Sequence, residues 1–122
     1  MAIAFMANAQ HLAYRRDILE RAGIAEPPTS YEDVLAAAEA IRSQGIMETP
    51  FVVNNKVGWD LAEEFVNMYL GFGGDFFEPG TPNLALDPAK AVPALEMMRS
   101  LAAYGPADNL TFDSTASSAV FS

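Results

Sequence analysis

The stretch LAYRRDILERAGIAEPPTSYEDVLAAAEAIRS, residues 12–43, decides most of what the sequence predicts about the fold. Within it, residues 15–22 predict a short helix. Gly23 follows at the position after a helix where a left-handed backbone is common, and glycine adopts that conformation most easily. The adjacent prolines at 27 and 28 cannot continue a helix, so they predict a stiff connector to the next element.

A second helix is predicted after this connector. Ser30 is a good N-cap, Asp33 is placed to complete a short capping box, and the helix reaches about Ser43. The apolar residues of this segment recur at spacings of three and four, which places them on one buried face. They are Tyr31, Val34, Leu35, Ala38 and Ile41.

Two longer helices are predicted further along the chain. The first runs from about Trp59 to Phe72 and is stopped by a glycine-rich run. The second is capped by Asp87, with Pro88 at its first position, and ends before Gly105. The predicted buried stripes are Leu61, Phe65, Met68 and Phe72 on the first helix, and Ala91, Leu95, Met98 and Ala102 on the second. The Ser/Thr-rich tail is expected to hold one or two further helical turns.

Short apolar runs between these helices predict strands. They are residues 3–6, 11–14 and 51–53, with residues 76–77 as a brief fourth strand. Helices interspersed with short strands predict an α/β fold that is mostly helical. A short parallel sheet needs both faces covered and its edges paired or protected. Since these strands are too few to form a self-sufficient sheet, we expect the domain to be incomplete.

The composition limits the possible functions. A chain of 122 residues with 51% apolar residues fits one domain with a core. The formal net charge of −9 opposes binding to nucleic acids and to anionic membrane surfaces. The absence of cysteine excludes a disulfide framework, a thiolate metal site and a cysteine nucleophile, and a single histidine excludes a multi-histidine metal site. The N-terminal residues do not resemble a secretory signal.

Three stretches in register resemble family 1 extracellular solute-binding proteins, the receptors of bacterial ABC importers. Residues 12–24 resemble that family's YYNKDLFEKAGL segment, and residues 27–34 resemble the PPKTWDEL segment that follows it. Residues 73–77, with the helix at 91–101, resemble the family's glycine pair and the helix after it. A fourth stretch, residues 117–122, resembles the start of the family's FxxGKAAM segment.

The resemblance implies two α/β lobes joined by a hinge, with a ligand bound in the cleft between them. Residues 1–122 would form part of the second, C-terminal lobe, and the missing segments and the leader would lie outside this chain. The implied protein is not an enzyme and needs no cofactor. It is periplasmic or extracellular, captures a sugar or polyol, and delivers it to a membrane permease. With only one wall of the cleft, this chain is expected to bind ligand weakly or not at all.

A sugar receptor needs an aromatic plane for stacking and fixed hydrogen-bonding groups at its edge. The loop from Asn54 to Trp59 follows a predicted strand and opens a helix, which suits such a site. Trp59 is the candidate stacking residue; the alternative is that it packs over the core. Asn54 and Asn55 are candidate donors and acceptors, although loop asparagines also stabilise turns.

Three more residues are candidates for ligand contact. The glycine-rich run that ends at Gly74 could carry a ligand near Asp75, which could accept hydrogen bonds from sugar hydroxyls; the alternative for this run is simple helix termination. Tyr14 could line the cleft or be a half-buried aromatic residue of a strand.

Two other functions remain open. A carbohydrate-active enzyme domain would use Glu63 or Asp75, but Glu63 and Glu64 are adjacent on a helix and do not face each other, so a solvated helix face is expected there. A helical interaction module would offer its apolar faces to a partner protein. Uncovered apolar faces and open strand edges also predict self-association of the chain.

Overall fold

The computed structural model describes residues 9–121, and this part of the chain is mostly helical. Its α-helices are α1 (Arg16–Arg21), α2 (Tyr31–Ser43), α3 (Trp59–Gly71), α4 (Pro88–Ala102) and α5 (Ser114–Phe121), with a one-turn 3₁₀ helix at Asn109–Thr111 before α5. None of the helices in this range combines the length and apolar character needed to cross a membrane.

The end of α1 has the predicted geometry. Gly23 adopts a φ of 77°, and its amide donates to the Glu20 carbonyl at 3.0 Å. The next amide, of Ile24, donates to the Leu19 carbonyl at 2.9 Å. These two bonds satisfy carbonyls that have no partner inside the helix, so the chain turns here toward the prolines.

The start of α2 confirms the predicted capping box. The Ser30 hydroxyl accepts from the Asp33 amide at 3.1 Å, and the Asp33 carboxylate accepts from the Ser30 amide at 3.1 Å. The same carboxylate also accepts from the amide and hydroxyl of Thr29. The first turn of α2 is therefore held by side chains that are local in sequence, which explains why its bounds could be predicted. The predicted cap of α4 is also confirmed, since the Asp87 carboxylate accepts from the Ala89 amide at 2.9 Å.

The main core lies between α3 and α4. Its buried members are Met68, Tyr69, Ala91, Ala94 and Leu101, and half-buried residues of α2, including Tyr31, Val34 and Leu35, pack against it. A smaller cluster joins α1 to α2 through Ile18, Leu19, Ala37 and Ile41.

The predicted buried stripes of α3 and α4 were partly wrong. On α3 the prediction omitted Tyr69, which is completely buried. On α4, Ala94 and Leu101 face the core beside Ala91, whereas Leu95 is 51% exposed. The physical reason is side-chain volume: α4 meets the bulky Met68 and Tyr69 of α3 with two alanines, because small side chains let the helices approach.

The predicted strands do not form in the described residues, so an α/β fold is not shown. Residues 11–14 and 51–53 have no regular secondary structure, and Phe77 makes only a single antiparallel bridge, to Leu84. The prediction for residues 3–6 lies outside the described residues. A strand persists only where a neighbouring strand bonds its backbone groups. Here the Phe51 amide donates instead to the Tyr104 carbonyl just after α4, at 3.3 Å.

Candidate functional site

An open groove of about 1000 Å³ lies among α2, α3, α5 and the loop segments at 9–13 and 51–54. We call it the α2–α5 groove. Aromatic rings and polar groups both line it. The aromatic residues are Tyr31, Phe51, Phe72 and Phe121, and the polar residues include Asn54, Glu32, Glu64, Ser117 and Ser118.

The aromatic wall of the groove is fixed by the packing of α2 on α3. The rings of Tyr31 and Phe72 are stacked, with centroids 6.4 Å apart and an interplanar angle of 16°. Gly71 lies close to the same tyrosine, and a Cβ atom there would come within 3.3 Å of the ring. Burial, with a smaller contribution from the charge of Glu64, raises the pKa of Tyr31. Its hydroxyl therefore remains protonated and can donate a hydrogen bond near neutral pH.

Glu64 is the carboxylate of α3 that lines the groove. It is half-buried, and the Gln10 side chain donates to it at 3.3 Å. Burial, reinforced by the charges of Glu63 and Asp60, raises the pKa of Glu64 to about 7. The expectation of a solvated helix face was wrong for Glu64. Residues from two other segments, Gln10 and Tyr31, lie beside this turn of α3, and sequence spacing along α3 could not reveal them.

Ser117 of α5 contributes an unusual polar group to the groove lining. Its side chain is buried, with 8% of the residue exposed, and its hydroxyl has no hydrogen-bond partner in the described part of the chain. The neighbouring Ser118 hydroxyl donates to the Ser114 carbonyl at 2.7 Å, which is a common arrangement for a helical serine. A buried hydroxyl without a partner is energetically unfavourable, so Ser117 marks a position where a ligand group could bond.

Of the six residues predicted from sequence, only Asn54 lines the α2–α5 groove. Asn55 faces inward instead: it is buried, and its side chain donates to the Asn109 side chain at 3.5 Å. This contact ties the loop before α3 to the 3₁₀ helix. Asn55 thus helps to position its neighbour Asn54 at the groove.

Trp59 is the first residue of α3 and is 76% exposed. The alternative that it packs over the core is therefore wrong for this structure. It lines neither of the two grooves described here. Its indole is an aromatic plane open to solvent, available for stacking but separate from the α2–α5 groove.

Gly74 and Asp75 lie beside Tyr69 and do not line the α2–α5 groove. A Cβ atom at Gly74 would come within 2.3 Å of the Tyr69 ring, so this glycine permits close packing. The Tyr69 hydroxyl donates to the Asp75 carbonyl at 2.9 Å, while the Asp75 residue is exposed.

Tyr14 is exposed and lines a second groove, of about 340 Å³, between α1, α2 and the end of α5. The structure thus distributes the predicted residues over several places. The residues that sequence reasoning did not select, Tyr31, Glu64 and Ser117, share the larger groove with Asn54.

The described residues contain no group of three or more histidine, cysteine or acidic side chains that could hold a metal ion. Comparison of the chain with protein families, with curated proteins and with solved structures gave no match. The resemblance to solute-binding proteins therefore depends on the quoted segments alone.

Proposed function

We propose that this chain is part of the second, C-terminal lobe of a solute-binding protein of a bacterial ABC importer. The full-length receptor is periplasmic or extracellular, binds a sugar or polyol without converting it, and presents it to a membrane permease. The observation that carries the proposal is the α2–α5 groove, where an aromatic wall and several polar groups line one open depression.

The chemistry of the groove suits a polyhydroxyl ligand. A sugar has an apolar ring face and a rim of hydroxyls, so it needs an aromatic surface beside hydrogen-bonding groups. The stacked rings of Tyr31 and Phe72 supply the aromatic surface. Asn54, Glu64 and Ser117 supply donors and acceptors along the same groove.

The openness of the groove supports a two-lobe receptor. A ligand site normally buries most of its ligand's surface, and a depression open to solvent on one side buries less. A second lobe that closes over the groove by hinge motion would complete the enclosure. The exposed Trp59, which lies outside the groove, could then contact that second lobe.

An NMR titration of the isotopically labelled chain with a panel of sugars and polyols tests the proposal. We expect dissociation constants on the order of 1 mM or weaker, with shifts at groove residues, because only one wall is present. Asn54→Ala should weaken binding, whereas Asn67→Ala, on the exposed part of α3, should leave it unchanged. Micromolar binding would contradict the one-wall proposal. The absence of shifts with every compound would contradict the sugar site.

The exposed apolar side chains support a second candidate function, a helical interaction module. Val92 and Leu95 of α4, Leu84 in the loop before α4 and Leu110 in the 3₁₀ helix are all exposed. If they form an interface, the chain should self-associate with rising concentration, and Leu95→Lys should reduce the association. Light scattering that shows a monomer at all concentrations would contradict self-association.

A further inference from the structure

The charged side chains that line the α2–α5 groove are acidic. Glu32 and Glu64 are both lining residues, and among the described lining residues there is no lysine or arginine. Within the described part of the chain, the ion pairs are Arg15–Asp17 and Lys56–Asp113, so Glu64 has no cationic partner. The titratable groups that interact electrostatically with Glu64 are Asp60 and Glu63 on α3 and Tyr31 on α2. Glu32 on α2 and His11 in the segment that precedes α1 also line the groove.

Ser117, which also lines the groove, provides an independent indication that the groove binds a ligand. Its buried hydroxyl lacks a hydrogen-bond partner in the described part of the chain, whereas its amide donates at 3.0 Å to the carbonyl of Asp113, the residue just before α5. The groove therefore contains a half-buried carboxylate without a cation and a buried hydroxyl without a hydrogen bond. An amine-bearing ligand with hydroxyl groups could satisfy both.

We propose that the ligand of the α2–α5 groove is an amino sugar or amino polyol, whose protonated amine pairs with Glu64 while a hydroxyl bonds to Ser117. This inference rests on the proposed receptor function and specifies its ligand class. An ammonium group has three donors and no acceptor, which matches a carboxylate. Glu32 and Glu64 repel sugar acids and sugar phosphates, so the same charges select against anionic ligands.

Glucamine (1-amino-1-deoxysorbitol) and sorbitol are the appropriate probes, because they differ only by an amino group in place of one hydroxyl. The amine of glucamine, like that of lysine, is protonated at pH 8, where Glu64 is mainly ionised. We expect glucamine to bind about fivefold to tenfold more tightly than sorbitol in an NMR titration at low salt, since a charge-assisted hydrogen bond is stronger than a neutral one.

Variants of the intact chain identify the group responsible. Glu64→Gln should remove the preference for glucamine and leave sorbitol binding little changed. The matched control, Glu63→Gln, changes the charge of the adjacent residue, which does not line the groove, and should keep most of the preference. Ser117→Ala should weaken the binding of both glucamine and sorbitol. Added salt should reduce only the preference for the amine, because it screens the charge of this half-exposed site.

The outcomes separate this inference from the function on which it rests. Equal affinity for glucamine and sorbitol would overturn the amine inference and leave the polyol receptor intact. A preference that survives in Glu64→Gln would also overturn it. If ethylammonium binds as tightly as glucamine and sorbitol does not bind, the ammonium site is supported but the polyol-receptor function is overturned. Failure of all three compounds to bind would overturn both proposals.

Discussion

Replacing Tyr69 with phenylalanine removes a single oxygen atom from a completely buried side chain. That oxygen connects three parts of the fold. It donates to the Asp75 carbonyl at 2.9 Å, in the loop after α3, and it accepts from the Asp87 amide at 2.8 Å, at the cap of α4. One side chain thus forms hydrogen bonds with both ends of the loop between α3 and α4.

The expected loss of stability follows from these two bonds. A net contribution of about 1 kcal/mol for each hydrogen bond gives about 2 kcal/mol, and the two unpaired backbone groups could raise the loss toward 3 kcal/mol. The aromatic contacts remain, because the phenylalanine ring can still pack against Phe65 and Phe76, whose centroids lie 5.7 and 4.9 Å from that of Tyr69. The loss is therefore assigned to the hydroxyl and not to a cavity.

Urea unfolding followed by circular dichroism measures this change. With a typical dependence of about 2 kcal/mol per molar urea, the midpoint should fall by about 1 M without a change in slope. Tyr14→Phe is the matched control, because Tyr14 is exposed, and we expect it to change stability by less than about 0.5 kcal/mol. If both variants unfold at the same urea midpoint, the claim that the two hydrogen bonds of the Tyr69 hydroxyl stabilise the fold is refuted.

Three further predictions concern packing, capping and pH. Gly74→Ala should destabilise the fold by about 1–3 kcal/mol, because its Cβ would lie 2.3 Å from the Tyr69 ring; an unchanged melting temperature would contradict this packing. Ser30→Ala should lower the free energy of unfolding by about 1 kcal/mol and reduce the helical circular dichroism signal, since it removes one half of the capping box. A decrease below about 0.3 kcal/mol would argue against the cap. Folding raises the pKa of Glu64 from 4.5 to about 7, so the folded state holds this proton more tightly and stability should fall as pH rises through that window. Glu64→Gln should flatten this pH dependence, whereas Glu63→Gln should keep most of it, because burial is the largest cause of the raised pKa and the charge of Glu63 is a smaller one. Urea unfolding from pH 4.5 to 7.5 gives the free energy of unfolding at each pH, and the same pH dependence in both variants would contradict the assignment.

Helix boundaries were predictable where their signals are local. The capping box at Ser30 and Asp33 and the glycine after α1 act over three or four residues, and both were found as expected. The face of α4 was less predictable, because the exposed Val92 and Leu95 are as apolar as the residues that face the core. Only the position of Tyr69 on the neighbouring helix decides that the small Ala94 faces inward.

The candidate site was less predictable than the helices. Asn54 lines the α2–α5 groove, and its role in binding stays a prediction. Glu64 was missed because its raised pKa comes from burial, and burial depends on the packing of other segments around α3. Ser117 was missed because a serine in a Ser/Thr-rich tail gives no sign that its hydroxyl will be buried without a partner.

The sequence by itself determined the acidity of the chain, the lack of cysteine and the starts and stops of its helices, because these depend on residue type and near neighbours. Only the tertiary structure decided that the apolar runs at 11–14 and 51–53 do not form strands and that Tyr31, Glu64 and Ser117 share one groove. Strand pairing, burial and the pKa of a carboxyl group depend on which distant segments come into contact. Those contacts are set by the competition of all the apolar faces for a common core.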